Sequence, residues 1–251
     1  MRLFKALDVE GRSTGGQEFP WPLPEGEGPG QWLPTVKGDL VVYENGYHVC
    51  TTKQLLGWLG PLIWEVEVRG EVVHAGLMTV VRSARIVAPT RWDDRTARLF
   101  ACDCAARALR RERRAGREPD KRSWEALRVA RLYAEGKATN QELIAAGVAA
   151  GYAWTATDVA WTSGKAAAKA AWNVTEAAWA PTELAPGVPA WATWNTSAAT
   201  IGAAWNATEA AASAAWDGTG HAAWKAERRW QAKRLEEYLD GKRGRLQEVT
   251  P

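Results

Sequence analysis

The sequence predicts an α+β protein, with a small β-rich N-terminal domain over residues 1–91 and an Ala/Trp-rich antiparallel helical bundle over residues 92–251. Three observations carry this. Short β-branched and aromatic runs, separated by glycine turns, fill the first part of the chain. From Trp92 onward the apolar period becomes helical. Between about Trp154 and Trp216 an eleven-residue repeat opens on tryptophan and continues in alanine.

In the N-terminal domain the expected strands are Leu40–Tyr43, Trp64–Val68, Val72–Val73, and Val80–Val81 continuing through Ile86–Val87. Trp64 to Val68 alternates apolar and charged residues, as a strand with one buried face should. The Pro/Gly-rich stretch between Gly15 and Pro34 predicts a loop that cannot pair regularly. Asn45–Cys50 follows one expected strand and precedes a short helix from about Thr52 to Leu59. Further on, Asp93 or Asp94 caps a helix running to about Ala115. Pro119-Asp120 restarts one that ends near Gly136, and Thr139-x-x-Glu142 is a capping box opening a third.

In the repeat, Trp161, Trp172, Trp194 and Trp205 each open a copy, and Trp216 opens a decayed one. Eleven residues make almost three turns at about 3.67 residues per turn. Trp154, Trp161, Trp172 and Trp179 therefore fall within about 20° on one helix face. Trp194, Trp205 and Trp216 form a second stripe. Pro181, Pro186 and Pro189 separate the two helices, and a last amphipathic helix runs from Ala222 to about Asp240. Residues 151–221 hold seven Asp, Glu, Lys or Arg side chains, a surface that must pack within the monomer or meet a partner. Those seven tryptophans are the candidate interaction face.

The net charge of +3 over 251 residues argues neither for nor against nucleic acid, because binding needs charge gathered on one face. Arg107, Arg110, Arg111, Arg113, Arg114, Arg117, Arg122, Arg128 and Arg131 are interleaved with acids, which reads as a solvated face and argues against nucleic acid. The start of the chain lacks the apolar run of a secretory signal, and no stretch of about 18 residues is apolar enough to span a membrane. The odd set of Cys50, Cys102 and Cys104 points to reduced thiols in a bacterial cytoplasm.

Candidate binding residues are His48, Cys50 and Trp64. His48-x-Cys50 with Cys102-x-Cys104 supplies the donor inventory of a zinc site. It is a weak metal candidate, because residues two apart on a helix point about 200° away from each other. His48 and Cys50 share a strand face, so a base–nucleophile pair is geometrically open, without a recognisable orienting group. No catalytic residue is assigned and no cofactor is expected.

Residues 1–87, with Phe4-Lys5-Ala6-Leu7-Asp8, Gly46-Tyr47-His48-Val49-Cys50 and Trp64-Glu65-Val66-Glu67-Val68-Arg69-Gly70, resemble a small phage and prophage domain of unknown function. Residues 95–135, chiefly Arg98–Ala105 and Ala126–Arg131, resemble putative bacterial immunity proteins, which implies helices and a protein partner. The expectation is a non-catalytic, phage- or mobile-element-related interaction protein that self-associates or captures a partner through its Trp/Ala helices. Two alternatives stand beside it. The layout of strand, Gly-aromatic-His element and helix resembles ADP-ribosyltransferases. Thr175, Ser197, Thr208 and Thr219, set by the repeat, offer an ice-binding face.

Overall fold

The computed structural model describes residues 1–14, 18–156, 163–175, 190–216 and 220–243; for 163–164 and 190–199 it describes the backbone alone. The chain divides into two compact units. The first holds Met1–Asp93 together with Leu235–Gly241, and the second is built on Asp94–Arg234. The first unit thus takes a segment from the far end of the chain, beyond the residues 1–91 that the sequence suggested.

The N-terminal unit contains β1 (Leu3–Leu7), β2 (Tyr47–Val49), α1 (Thr52–Leu55), β3 (Leu62–Ala75) and β4 (Met78–Pro89). The strands pair antiparallel in the order β1-β3-β4-β2. Phe4 and Cys50 then exchange two backbone hydrogen bonds of 2.8 Å, so the chain leaving β2 pairs with β1 and the sheet closes on itself. A register shift between Arg69 and Val72, where Gly70 sits at φ +78°, bends the long hairpin as closure requires. Leu3, Leu7, Trp21, Val49, Val66, Val81 and Ile86 form the core. Trp64 and Val68 pack against it from the face of β3 that the alternation predicted.

The Pro/Gly-rich stretch forms no regular ladder, as its composition requires. It nevertheless follows the edge of β4: the N–H groups of Gly30, Leu33 and Val36 donate to the carbonyls of Ile86, Ala84 and Arg82 at 2.8, 2.9 and 3.0 Å. Leu40–Tyr43, expected as a strand, is instead a tight turn closed by Val41 and Asn45, with Tyr43 at φ 69°. The amide of Asn45 fixes that turn by donating to the carbonyls of Lys37 and Asp39 at 2.9 and 2.7 Å. The short helix stops at Leu55 rather than Leu59.

The second unit contains α2 (Asp94–Arg114), α3 (Lys121–Ala134), α4 (Asn140–Ala156), α5 (Ser163–Asn173), α6 (Ala190–Trp216) and most of α7 (Gly220–Leu239). Asp120 caps α3 through the N–H of Arg122 at 2.8 Å. The predicted capping box opens α4: Thr139 N–H donates to Glu142 at 2.7 Å and Glu142 N–H to Thr139 at 3.2 Å. α6 packs against α2 and α5 with a face of small residues, among them Ala204, Ala207, Ala211 and Thr208, all fully buried. Small side chains let helix backbones approach closely.

The single helix expected to carry Trp154 through Trp179 is not what forms. Trp154 in α4 stacks on Trp172 in α5, with ring centroids 5.2 Å apart and planes at 12°. Eighteen residues of continuous helix would separate them by about 27 Å, so the chain reverses between them. Trp161 and Trp179 lie outside the described residues. Gly147 and Gly151 make the pairing possible: a Cβ on Gly147 would meet Thr175 Oγ1 at 2.6 Å, and one on Gly151 would meet the Trp172 ring at 3.3 Å.

Candidate functional site

A cavity of about 470 Å³ opens in the N-terminal unit where β1 meets the end of β2, with Lys5, Trp21, Tyr43, Tyr47, His48 and Cys50 in its wall. Lys5 reaches it because of strand parity. Leu3 and Leu7 belong to the core, and residues two apart on a strand share a face, so Lys5 points inward between two leucines. Its ammonium donates to the His48 carbonyl at 3.1 Å and lies 5.0 Å from the centre of the Trp21 ring. Burial lowers its pKa to about 8.

His48 sits opposite Val80 in the β2–β4 ladder. Its Nε2 accepts the Tyr43 backbone N–H at 2.8 Å, and its ring stacks on the Tyr43 ring at 6.0 Å. These two contacts hold Tyr43 in the left-handed region, which few bulky residues occupy. An accepting Nε2 carries no proton, so the neutral ring bears its hydrogen on Nδ1. Burial, and then the charge of Lys5, lower the His48 pKa in the same sense. Gly46 makes room for this arrangement: at φ +127°, a Cβ there would overlap the side chain of Val80.

Cys50 is buried, and its thiol is pushed up to about 12 by that burial, against a smaller opposing pull from Lys5. A protonated thiol is a poor nucleophile, and the imidazole is committed to Tyr43. The base–nucleophile pairing of His48 with Cys50 therefore loses its chemical basis. The zinc set fares no better. Among the described residues no group of three or more His, Cys, Asp or Glu side chains is placed to hold an ion. Cys102 and Cys104 are both fully buried in unbroken helix, with thiols raised by desolvation. Trp64 packs on the core and is absent from the cavity wall; its buried Nε1 finds no hydrogen-bond partner among the described residues.

Aromatic residues that sequence reasoning missed complete the wall. Phe19, Trp21 and Tyr47 contact one another with centroids 5.8 to 6.4 Å apart. The Trp21 Nε1–H donates to Ser13 at 3.0 Å and the Tyr47 hydroxyl to the Pro34 carbonyl at 3.0 Å, which fixes two of the rings. Phe19 and Trp21 come from a stretch read as a loop, so no periodicity could mark them.

In the second unit the arginine set is largely consumed by ion pairs. Arg107 and Arg111 both reach the buried Glu227. Arg113, Arg117, Arg122, Arg128 and Arg131 pair with Glu118, Glu112, Asp120, Glu125 and Asp103. The tryptophan stripe on α6 faces outward: Trp205 and Trp216 are 42% and 47% exposed. The side chain of Trp194 lies outside the described residues. Thr175 and Thr208 are fully buried, with hydroxyls donating to helix carbonyls at 2.7 Å, so they cannot belong to an ice-binding face.

Comparison with family models, with curated proteins and with solved structures returns no match to this chain. No helix among the described residues is long and apolar enough to cross a membrane.

Proposed function

We propose that this is a non-catalytic interaction protein that pairs with a second copy of itself through the outer face of α6. The observation that supports the reading is the pattern on that face. Trp205 and Trp216 project from it, while Gly202 and Ser213 are small, and each pair is separated by one repeat. A Cβ added at Gly202 would meet nothing within 4 Å. Together with Glu209 these residues span an arc of about 80° at about 100° per residue.

Such a face is complementary to itself. If a two-fold axis passes at Glu209, antiparallel copies of α6 set Trp205 opposite Ser213 and Trp216 opposite Gly202 at once. Each large ring then meets a small partner, as an isologous interface requires. Glu209 would lie on the axis, where its charge is already balanced by Arg228 of the same chain. Exposed tryptophan at this density is costly for an isolated monomer and is the residue type most enriched at interface centres.

Light scattering after size exclusion on the full chain tests this. The expected result is a dimer that becomes monomeric when Trp205→Ala and Trp216→Ala are combined. A short bis-maleimide should link two copies of Glu209→Cys, since the native cysteines are buried. A wild-type chain that stays monomeric at high concentration would overturn the reading.

A further inference from the structure

We propose that the cavity around Lys5 is a binding site for a carboxylate carried on a planar apolar body, with the ammonium taking the carboxylate and the Phe19–Trp21–Tyr47 wall taking the plane. This site is separate from the α6 face and does not depend on it.

An ammonium has three donors. Lys5 uses one on the His48 carbonyl, and among the described residues no carboxylate forms an ion pair with it. A cation withdrawn from water without a counter-ion is costly, and an anion entering the cavity relieves that cost. The other wall groups do not compete for the role. His48 is held neutral by the Tyr43 N–H, and Cys50 keeps its proton. Glu44, the other charged residue of the wall, is exposed to solvent.

One ammonium beside one exposed carboxylate suits a singly charged ligand. A phosphate dianion would want further donors of the kind arginine supplies. The aromatic wall sets the rest of the ligand, because three mutually contacting rings, two of them held by hydrogen bonds, present flat apolar surface next to the charge. About 470 Å³ is within the range of small-ligand sites, roughly 300–1,000 Å³. An indole or phenyl ring bearing a carboxylate fits within this volume. The same chemistry occurs in a free aromatic acid and in the C-terminal residue of a polypeptide ending in an aromatic side chain.

The full chain is titrated calorimetrically at pH 6.5 with indole-3-acetate and with tryptophol, which carries the same indole with a hydroxyl in place of the carboxylate. The acid should bind at least about tenfold more tightly than the alcohol, and Lys5→Met should erase that preference while Lys5→Arg keeps part of it. NMR of the lysine side chains in the unaltered protein gives a second readout: the Lys5 titration midpoint should rise by about a unit or more when indole-3-acetate is present, the linkage counterpart of a tenfold preference for the charged amine. A short peptide ending in tryptophan, compared with its C-terminal amide, identifies the source. Tighter binding of the peptide acid than of indole-3-acetate assigns the site to a chain end, and weaker binding assigns it to a free acid. The proposal is overturned if acid and alcohol bind alike, if Lys5→Met binds the acid as the unaltered protein does, or if no probe binds at millimolar concentration.

Discussion

Lys5 holds its proton less tightly in the folded chain than in the unfolded one, falling from 10.5 to about 8 through burial. The sign of its effect on stability follows. Below about pH 8 both states are protonated and the folded state carries the whole cost of the buried charge. Between about 8 and 10.5 the unfolded chain binds more protons, so stability rises with pH. Lys5→Met should therefore stabilise the protein at pH 7, by no more than about 3.5 kcal/mol, and the gain should shrink as pH climbs through that window. Chemical unfolding of both proteins at pH 7 and pH 10 measures it. Cys50, held protonated up to about 12, contributes an opposite slope above pH 9, which the comparison at each pH removes. A Lys5→Met chain less stable than the original at pH 7 would mean that the ammonium's hydrogen bond to His48 and its contact with the Trp21 ring outweigh the cost of burying it. The signal for Lys5 was present in the sequence as a lysine flanked at i±2 by Leu3 and Leu7. It is masked there because Phe4 and Ala6 are apolar too, so the run shows no alternation that would mark Lys5 as facing one side. His48 was found because its Gly-aromatic-His-x-Cys setting is compact; its partner Tyr43 was not, since a positive φ at a tyrosine is decided by the contacts that hold it.

Among elements, the boundaries that depend on local chemistry and the buried face of β3 are legible in the sequence, and the direction of the α6 tryptophans is not. Asp120 and the Thr139–Glu142 box start helices where their side chains can take orphan N–H groups, a property of a few adjacent residues. Whether a tryptophan stripe points in or out depends on which neighbour supplies the other wall. The alanines and threonines of α6 turn inward because they fit between α2 and α5, and the tryptophans are left outside. Between α4 and α5 the same logic gives a testable constraint. In an isolated helix Gly147→Ala would be favourable by about 1 kcal/mol. Here the new methyl meets Thr175 Oγ1 at 2.6 Å, and Thr175 is tied back to the Trp172 carbonyl at 2.7 Å and cannot easily yield. The substitution should lower stability by about 1–3 kcal/mol, read as a fall in melting temperature. Pairing it with Thr175→Ser, which removes the methyl but keeps the hydroxyl, should not restore it, whereas Thr175→Gly should. Rescue by serine would shift the conflict from the hydroxyl to the methyl of Thr175.

For the molecule as a whole, the far end of the chain is part of the N-terminal unit. Leu235, Tyr238 and Leu239 are buried, and the Leu239 carbonyl accepts the Arg91 N–H at 3.0 Å. Asp240 pairs with Arg2 at 2.5 Å, and Gly241 packs so closely on Arg91 that a Cβ would meet its side chain at 2.9 Å. A composition shift near Trp92 marks where strands give way to helices, but it cannot reveal a segment that returns after more than a hundred residues. The consequence concerns independence. Residues 1–93 alone would lack the segment that carries Leu235, Tyr238 and Leu239, whose burial contributes about 1.5–3 kcal/mol for each side chain. That is a large share of the stability of a domain this size. The fragment should melt well below the full chain and without a sharp transition. Fusing residues 235–243 to its end through a flexible linker should restore cooperative unfolding, because the linker supplies the segment at high effective concentration. Circular dichroism melts of the fragment with and without the fused segment decide the matter. Equal melting of the two would show that the closed sheet carries its own stability and that the returning helix end merely rests on it.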